Sequence, residues 1–357
     1  AGGTRTVTFL NLTPTEVSAI PAYTLTTASA ADVLTVSAGL GSGAEPAIVV
    51  TGTSGGVAIE ALTIFDVATF TIDLATNDGG GAADTITLAS GLDDGVDLAQ
   101  GLVNFVINAG NVGDGDTLNV DSVVDVPGSV LFDNFETVDV NFDIEAGTSL
   151  TIQNVATEID LAEDVDLIAE DGILDLNNSV TVINLSAATG INRFIARGVD
   201  GHAELAPIVS DGCTGEVLVD ADQRVDTAGI NVPAKITIRA NQDGAGTEGL
   251  TQTGDIITTS EAADALTITV NTIGGGTGDA SIGVLTAGTI AGRISVITNG
   301  GSIVDANGAT NNLTSKTAIL SAQGSTGSLV DPIETVIDGL EGSGTTGFFV
   351  TNSGSLS

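Results

Sequence analysis

The chain contains no methionine and no tryptophan, one cysteine, one histidine, one tyrosine, and only 8 Lys and Arg among 357 residues. Each shortage excludes something. Cys213 has no partner for a disulfide within the chain and cannot build a thiolate metal cluster. Its setting, Asp211-Gly-Cys-Thr-Gly215, matches no nucleophile signature, so an ordinary structural cysteine is expected. So few bases cannot neutralise a phosphate backbone, which argues against nucleic acid as a partner. No uninterrupted apolar run reaches the roughly 18 residues of a membrane-spanning helix. With no Met even at position 1, the expectation is a processed chain or a segment of a longer precursor.

What is present points in one direction. The 46 acids give a formal net charge of −38, yet 42% of residues are hydrophobic and mean hydropathy is +0.36. Acidic disordered tails lack such apolar content. Glycine is abundant (47 residues) and proline scarce (7), with many Val, Ile and Thr, a mixture suited to short strands and tight turns. Alternation of apolar and polar residues recurs in Val33–Val36, Phe70–Leu74, Thr85–Leu88, Thr137–Val140, Ser149–Ile152, Leu266–Val270 and Arg293–Ile297. Asp331-Pro-Ile-Glu-Thr-Val-Ile-Asp-Gly-Leu340 is the main candidate for a helical turn. The reading is all-β.

A stack of coils explains the short strands best. In a β-solenoid of the parallel β-helix type, each coil uses about 20–29 residues. Small aliphatic side chains fill a narrow interior, Gly and Asn turn corners, and Thr and Asp face outward. Tandem β-sandwich domains are the alternative, but they usually bring larger aromatic cores. Charge marks an internal boundary: residues 1–190 hold 28 acids and one base, Arg5, and residues 191–357 hold 18 acids and 7 bases. No Pro-rich or Ser-rich linker accompanies the shift, so two regions of one continuous structure are expected.

The segment from Gly254-Asp-Ile-Ile257 to Ala318-Ile-Leu-Ser-Ala-Gln-Gly-Ser-Thr-Gly327, with Asn299-Gly-Gly-Ser-Ile-Val-Asp305, resembles repeats of filamentous-haemagglutinin-like surface proteins. The likeness continues through Pro332–Leu340 to Phe348–Leu356. Gly52–Phe65 and Ala83–Leu88 look like repeat regions of very large bacterial surface proteins. The resemblance implies a secreted β-solenoid of the cell surface, used as filament, coat or adhesin module, and it supplies no catalytic residues. A surface glycan is the alternative partner it implies.

Two acidic patterns carry the chemistry. Asn77-Asp-Gly-Gly-Gly-Ala-Ala-Asp-Thr-Ile-Thr87 is similar to the nonapeptide of repeat-in-toxin β-rolls, and Asn111-Val-Gly-Asp-Gly-Asp-Thr-Leu-Asn119 is a weaker match. Calcium takes six to eight hard oxygens, which carboxylates and turn carbonyls can supply. Asp78, Asp84, Asp114 and Asp116 are therefore the candidate calcium ligands. The plainer reading is an Asp/Gly turn between strands, since the copies are isolated and not a tandem array. Asp73, Asp97, Asp139, Asp160, Asp166 and Asp175, each between apolar neighbours, are expected to face outward as a solvated acidic surface.

An enzyme is not expected. Arg193, Arg197 and His202 lie near Asp200 and Glu204, and polysaccharide-active β-helices use such groups. Yet with so many acids, carboxylate pairs arise anywhere, and aromatic sugar platforms are almost lacking. Self-association is expected instead. Solenoid ends expose unpaired strand edges, and head-to-tail contact would join Val7 and Phe9 of one copy to Phe348 and Phe349 of the next.

Overall fold

The structure, a computed structural model, describes residues 15–28, 31–78, 81–110, 113–186 and 189–356. Among the described residues the strands form three sheets of 17, 10 and 13, the 10-stranded one beginning only at Val124–Val126. From Thr117 onward every coil contributes one short strand to each sheet, as in Thr117–Val120, Val124–Val126 and Ser129–Asp133, followed by Thr137–Val140, Ile144–Ala146 and Ser149–Gln153. Each strand pairs in parallel with its counterpart one coil away. The chain is a β-solenoid.

From Thr117 onward, register partners along the first sheet lie from 20 residues apart (Thr117 to Thr137) to 29 (Ile256 to Leu285), and 17 apart in the last coil (Ile333 to Val350). Alternation within each strand decides which side chains go in. Thr117–Val120, Thr137–Val140 and Glu158–Leu161 each bury their second and fourth residues. Stacking then lines Leu118, Val138, Ile159 and Ile183 into one aliphatic file. In the third sheet Tyr23, Phe70 and Phe105 are register partners, with ring centroids 6.3 and 5.8 Å apart. Phe132 meets Phe105 edge-on at 6.3 Å. The interior thus holds aromatics as well, some stacked in a file and others, such as Phe135 and Phe194, buried singly.

Corners follow from backbone demands. Asn134 and Asn154 adopt φ of 64° and 54°, a left-handed geometry that Asn tolerates better than most residues. Their amides reach back one coil, to Asn108 Oδ1 and Asp133 Oδ1 respectively, both at 2.8 Å. At Gly147, a Cβ would stand 2.3 Å from the carbonyl oxygen of Pro127 in the coil before, so no side chain fits.

Three expectations are corrected. Asp331–Leu340 has no helical turn: Ile333–Val336 and the strand beginning at Gly339 belong to two sheets, because Ile333 and Thr335 fill the interior. Asp166 faces out between the core residues Val165 and Leu167, but it is not solvated: Arg193 of the next coil covers it and pairs with it. Asp97 lies in a turn, not a strand. The sheets also cross residue 190 unbroken, since Asp166–Ala169 pairs with the strand Ile191–Ala196.

The first coils depart from pure parallel pairing. Asp32–Leu40 and Pro46–Ser54 form an antiparallel hairpin inserted in the first sheet. Its inner strand continues in parallel onto Thr85–Leu88, and its outer one runs antiparallel to Leu62–Ile64. No helix among the described residues is long and apolar enough to cross a membrane.

Candidate cation site

The hairpin strand and the coils after it start on acids. Val33 pairs with Thr85, Thr85 with Thr117, and Thr117 with Thr137. The residue before each is Asp32, Asp84, Asp116 and Glu136, so four acids share one corner of four successive layers. Asp84, Asp116 and Glu136 each take a hydrogen bond from the layer before. Asp32 N donates to Asp84 Oδ1 at 2.6 Å, Asp84 N to Asp116 Oδ1 at 2.7 Å, and Asp116 N to Glu136 Oε2 at 2.5 Å. Thr27 Oγ1 donates to Asp32 Oδ2 at 2.5 Å.

This arrangement spends one oxygen per carboxylate and strands the other. Asp32, Asp84 and Asp116 are essentially inaccessible to solvent, and Asp32 Oδ1, Asp84 Oδ2 and Asp116 Oδ2 are buried without a hydrogen-bond partner. So is Asp114 Oδ1. Buried acceptors are normally paired, and an orphan costs about 1–3 kcal/mol, more when charged. No Lys, Arg or His occurs between Arg5 and Arg193, so no described side chain in these layers offers a positive charge.

The turn before Asp116 completes the group. Glu136 accepts backbone N–H groups from Gly113, Gly115 and Asp116. Ligand atoms of Asp114, Asp116 and Glu136 all lie within 4.8 Å of one another. Three carboxylate oxygens so close together form a group that could hold a metal ion. Asp78 is buried beside Asp114, and Gly110 leaves it room: a Cβ there would be 2.9 Å from Asp78 Oδ2.

Electrostatics mark the same place. Burial pushes Asp84 up to about 6, helped by the charges of Asp32, Asp78 and Asp114 and opposed by the hydrogen bond from Asp32 N. Burial pushes Asp116 up to about 8, with Asp114, Asp84 and Glu136 adding repulsion. Asp114 is raised by burial first, then by Asp78 and Glu136. Only oxygen donors converge here, which suits a hard cation.

The structure thus gathers Asp78, Asp84, Asp114 and Asp116 into one neighbourhood. Sequence reading missed Asp32 and Glu136, which carry no Gly-rich motif; only their place before an alternating strand could have flagged them. Val7 and Phe9 lie outside the described residues. Phe348 is 38% exposed in the last coil, its ring against Gly342, and Phe349 is half-buried.

The cationic region is built otherwise. Arg193 pairs with Asp166, and Arg197 and Arg239 hold the wholly buried Asp220 at 2.7 and 3.0 Å. His202 stands 3.4 Å from Glu204, whose carboxylate also takes Arg224. Cys213 is buried and its thiol is pushed up by burial, away from the reactive range. Asn312, within a glycosylation-type triplet, is buried and hydrogen-bonded to Asp305. Comparison with protein-family models, curated proteins and solved structures finds no match.

Proposed function

We propose that this chain is a secreted structural protein of the cell surface, a filament, coat or adhesin module, whose first coils are set by calcium. The observation that carries the reading is the file Asp32, Asp84, Asp116 and Glu136. Its three aspartates strand buried carboxylate oxygens in a stretch of stacked coils that has no base. A cation bound there supplies the charge that the sequence withholds. Asp114 and Asp116 come from one coil and Glu136 from the next, so an ion on these three would tie two layers together. The stacked sheets give the stiffness, and the acidic exterior keeps the rod soluble.

Thermal melts in chelator, in calcium, and in sodium chloride of matched ionic strength test the calcium half. A native-state ligand at a hundred times its Kd adds about 2.7 kcal/mol, whereas screening is the same for both salts. The expected result is a higher Tm in calcium alone; equal Tm in calcium and sodium overturns it. Electron microscopy of purified protein tests the structural half, with filaments or lattices expected. Dispersed particles that cleave a polysaccharide would replace it with the enzyme reading.

A further inference from the structure

We propose that the chain cuts itself at one peptide bond, Asp331–Pro332, in the loop that leads into the strand Ile333–Val336. The sequence puts both chemical halves in one place, for Asp331 is the only aspartate followed by proline. Its side-chain carboxyl can close a succinic-anhydride ring on its own peptide carbonyl. Pro332 makes that bond a tertiary amide, with no N–H. Such a nitrogen is more basic than that of an ordinary peptide and departs more easily once protonated.

The fold adds what the dipeptide lacks. Leu329, Val330 and Asp331 are exposed, so water reaches the bond. Ser328 N donates to the Asp331 carbonyl oxygen at 2.8 Å, and Ser328 Oγ donates to the same oxygen at 3.4 Å. Asp331 N donates in turn to Ser328 Oγ at 3.0 Å. That carbonyl belongs to the bond to be cut, and a backbone donor at this distance is placed to stabilise an oxyanion. The Asp331 carboxyl is hydrogen-bonded to that of Asp305, a contact that needs a proton between them. Asp305 is itself fixed, its Oδ1 accepting from Asn307 N and Asn312 Nδ2, both at 2.8 Å. The other charged groups facing this carboxyl are acids too, Asp279 across a shared cavity of about 150 Å³ and Glu334 on the strand that follows. Partial desolvation raises Asp331 above its usual value, and the charge and hydrogen bond of Asp305 raise it further.

The pair Asp305 and Asp331 then shares one proton and one negative charge. An Asp331 carboxyl oxygen attacks its own peptide carbon, and the carbonyl electron pair moves onto the oxygen held by Ser328. As this tetrahedral centre collapses, the C–N bond to Pro332 breaks and the shared proton passes to the proline nitrogen. The anhydride left on Asp331 takes up one water and opens to two carboxyl groups. Asp331 is the nucleophile, and Asp305 and Ser328 are positioning residues. The strands beyond the cut stay paired, Ile333–Val336 with Leu313–Thr314 and Gly339–Gly344 with Thr317–Ala322. Cleavage therefore opens a new chain end on the surface without unstacking the coil.

Calcium takes no part in this reaction, so its test is separate from that of the first coils. The purified full chain is incubated in chelator with protease inhibitors between about pH 4 and about pH 7, and intact-mass spectrometry reads the products. The expected products are residues 1–331 and 332–357, formed faster as pH falls. The rate should exceed that of the same chain unfolded in guanidinium chloride at the same pH by roughly tenfold or more. Asp331→Ala, on the exposed loop, should abolish the cut, and Pro332→Ala should slow it. Asp305→Asn keeps an acceptor for Asn312 and should move the pH profile downward, which a merely structural role would not do. No cut in the folded chain overturns the proposal. So does an equal rate in denaturant, which is the ordinary acid lability of the dipeptide, or a cut that persists in Asp331→Ala.

Discussion

Asp116 concentrates the conflict between burial and charge in a single side chain. One oxygen has structural duty, accepting the N–H of Asp84, and the other is sealed in without a partner. In the calcium-free protein its carboxyl is raised to about 8 and that of Asp84 to about 6, so the folded state holds protons that the unfolded chain has released near pH 4. Unfolding then releases protons, and stability falls as pH rises from about 4 to about 8. Tm in chelator is expected to drop across that window, and calcium is expected to flatten the drop. A flat chelator profile would contradict it. Asp116→Asn keeps the acceptor for Asp84 N and removes the charge. It should therefore raise Tm in chelator at pH 8 and reduce the response to calcium, both read by circular dichroism.

At the scale of strands, stability is a matter between neighbouring coils. Phe105 is fully buried and joins Phe70 in the coil before to Phe132 in the coil after. Phe105→Ala should cost about 3–5 kcal/mol from lost transfer and the cavity left behind. In a stack where each coil touches only its neighbours, the loss should stay local. Hydrogen exchange is expected to rise in Val67–Asp73, Asn104–Asn108 and Ser129–Asp133, with Thr317–Ala322 unchanged; uniform loss of protection would refute that picture. The same locality explains what was legible in the sequence. Alternation in Thr137–Val140 or Leu266–Val270 names a strand and its buried face within a few residues. Stacking depends on coil length, and here the aligned acids Asp32, Asp84, Asp116 and Glu136 are 52, 32 and 20 residues apart. No fixed period points from Asp84 to Asp32, because the antiparallel hairpin intervenes. Asp166 was misread because Val-Asp-Leu looks alike whether the acid faces water or Arg193.

Across the whole molecule, the two halves solve the charge problem differently. Beyond residue 190, arginines and lysines answer buried or crowded acids, as Arg197 and Arg239 do for Asp220. Before it, ladders such as Asp139 on Asp160 have no such answer, and burial with neighbouring acids raises both. Low salt with chelator should therefore loosen the first half before the second. The ends of the rod pose a separate question, that of unsatisfied backbone. The last strands, Gly339–Gly344, Gly347–Phe348 and Val350–Asn352, each have a sheet partner on one side, in Thr317–Ala322, Ser325–Thr326 and Ile333–Val336. At the opposite end, Thr15–Val17 and Ile20–Thr26 pair among the described residues only with Leu62–Ile64 and Val67–Asp73. In the first and third sheets the outermost described strands lie at opposite ends, and we propose that one copy stacks on the next there. Such a heterologous contact need not close and would yield a filament. Exposed Phe348, with half-buried Phe349 beside it, gives the junction apolar area. Particle mass by light scattering should rise with protein concentration in the parent. It should fall on deleting residues 1–10, which removes Val7 and Phe9, and separately on changing Phe348 and Phe349 to Ser. A parent that stays monomeric at high concentration, with the same mass in both variants, would rule the junction out.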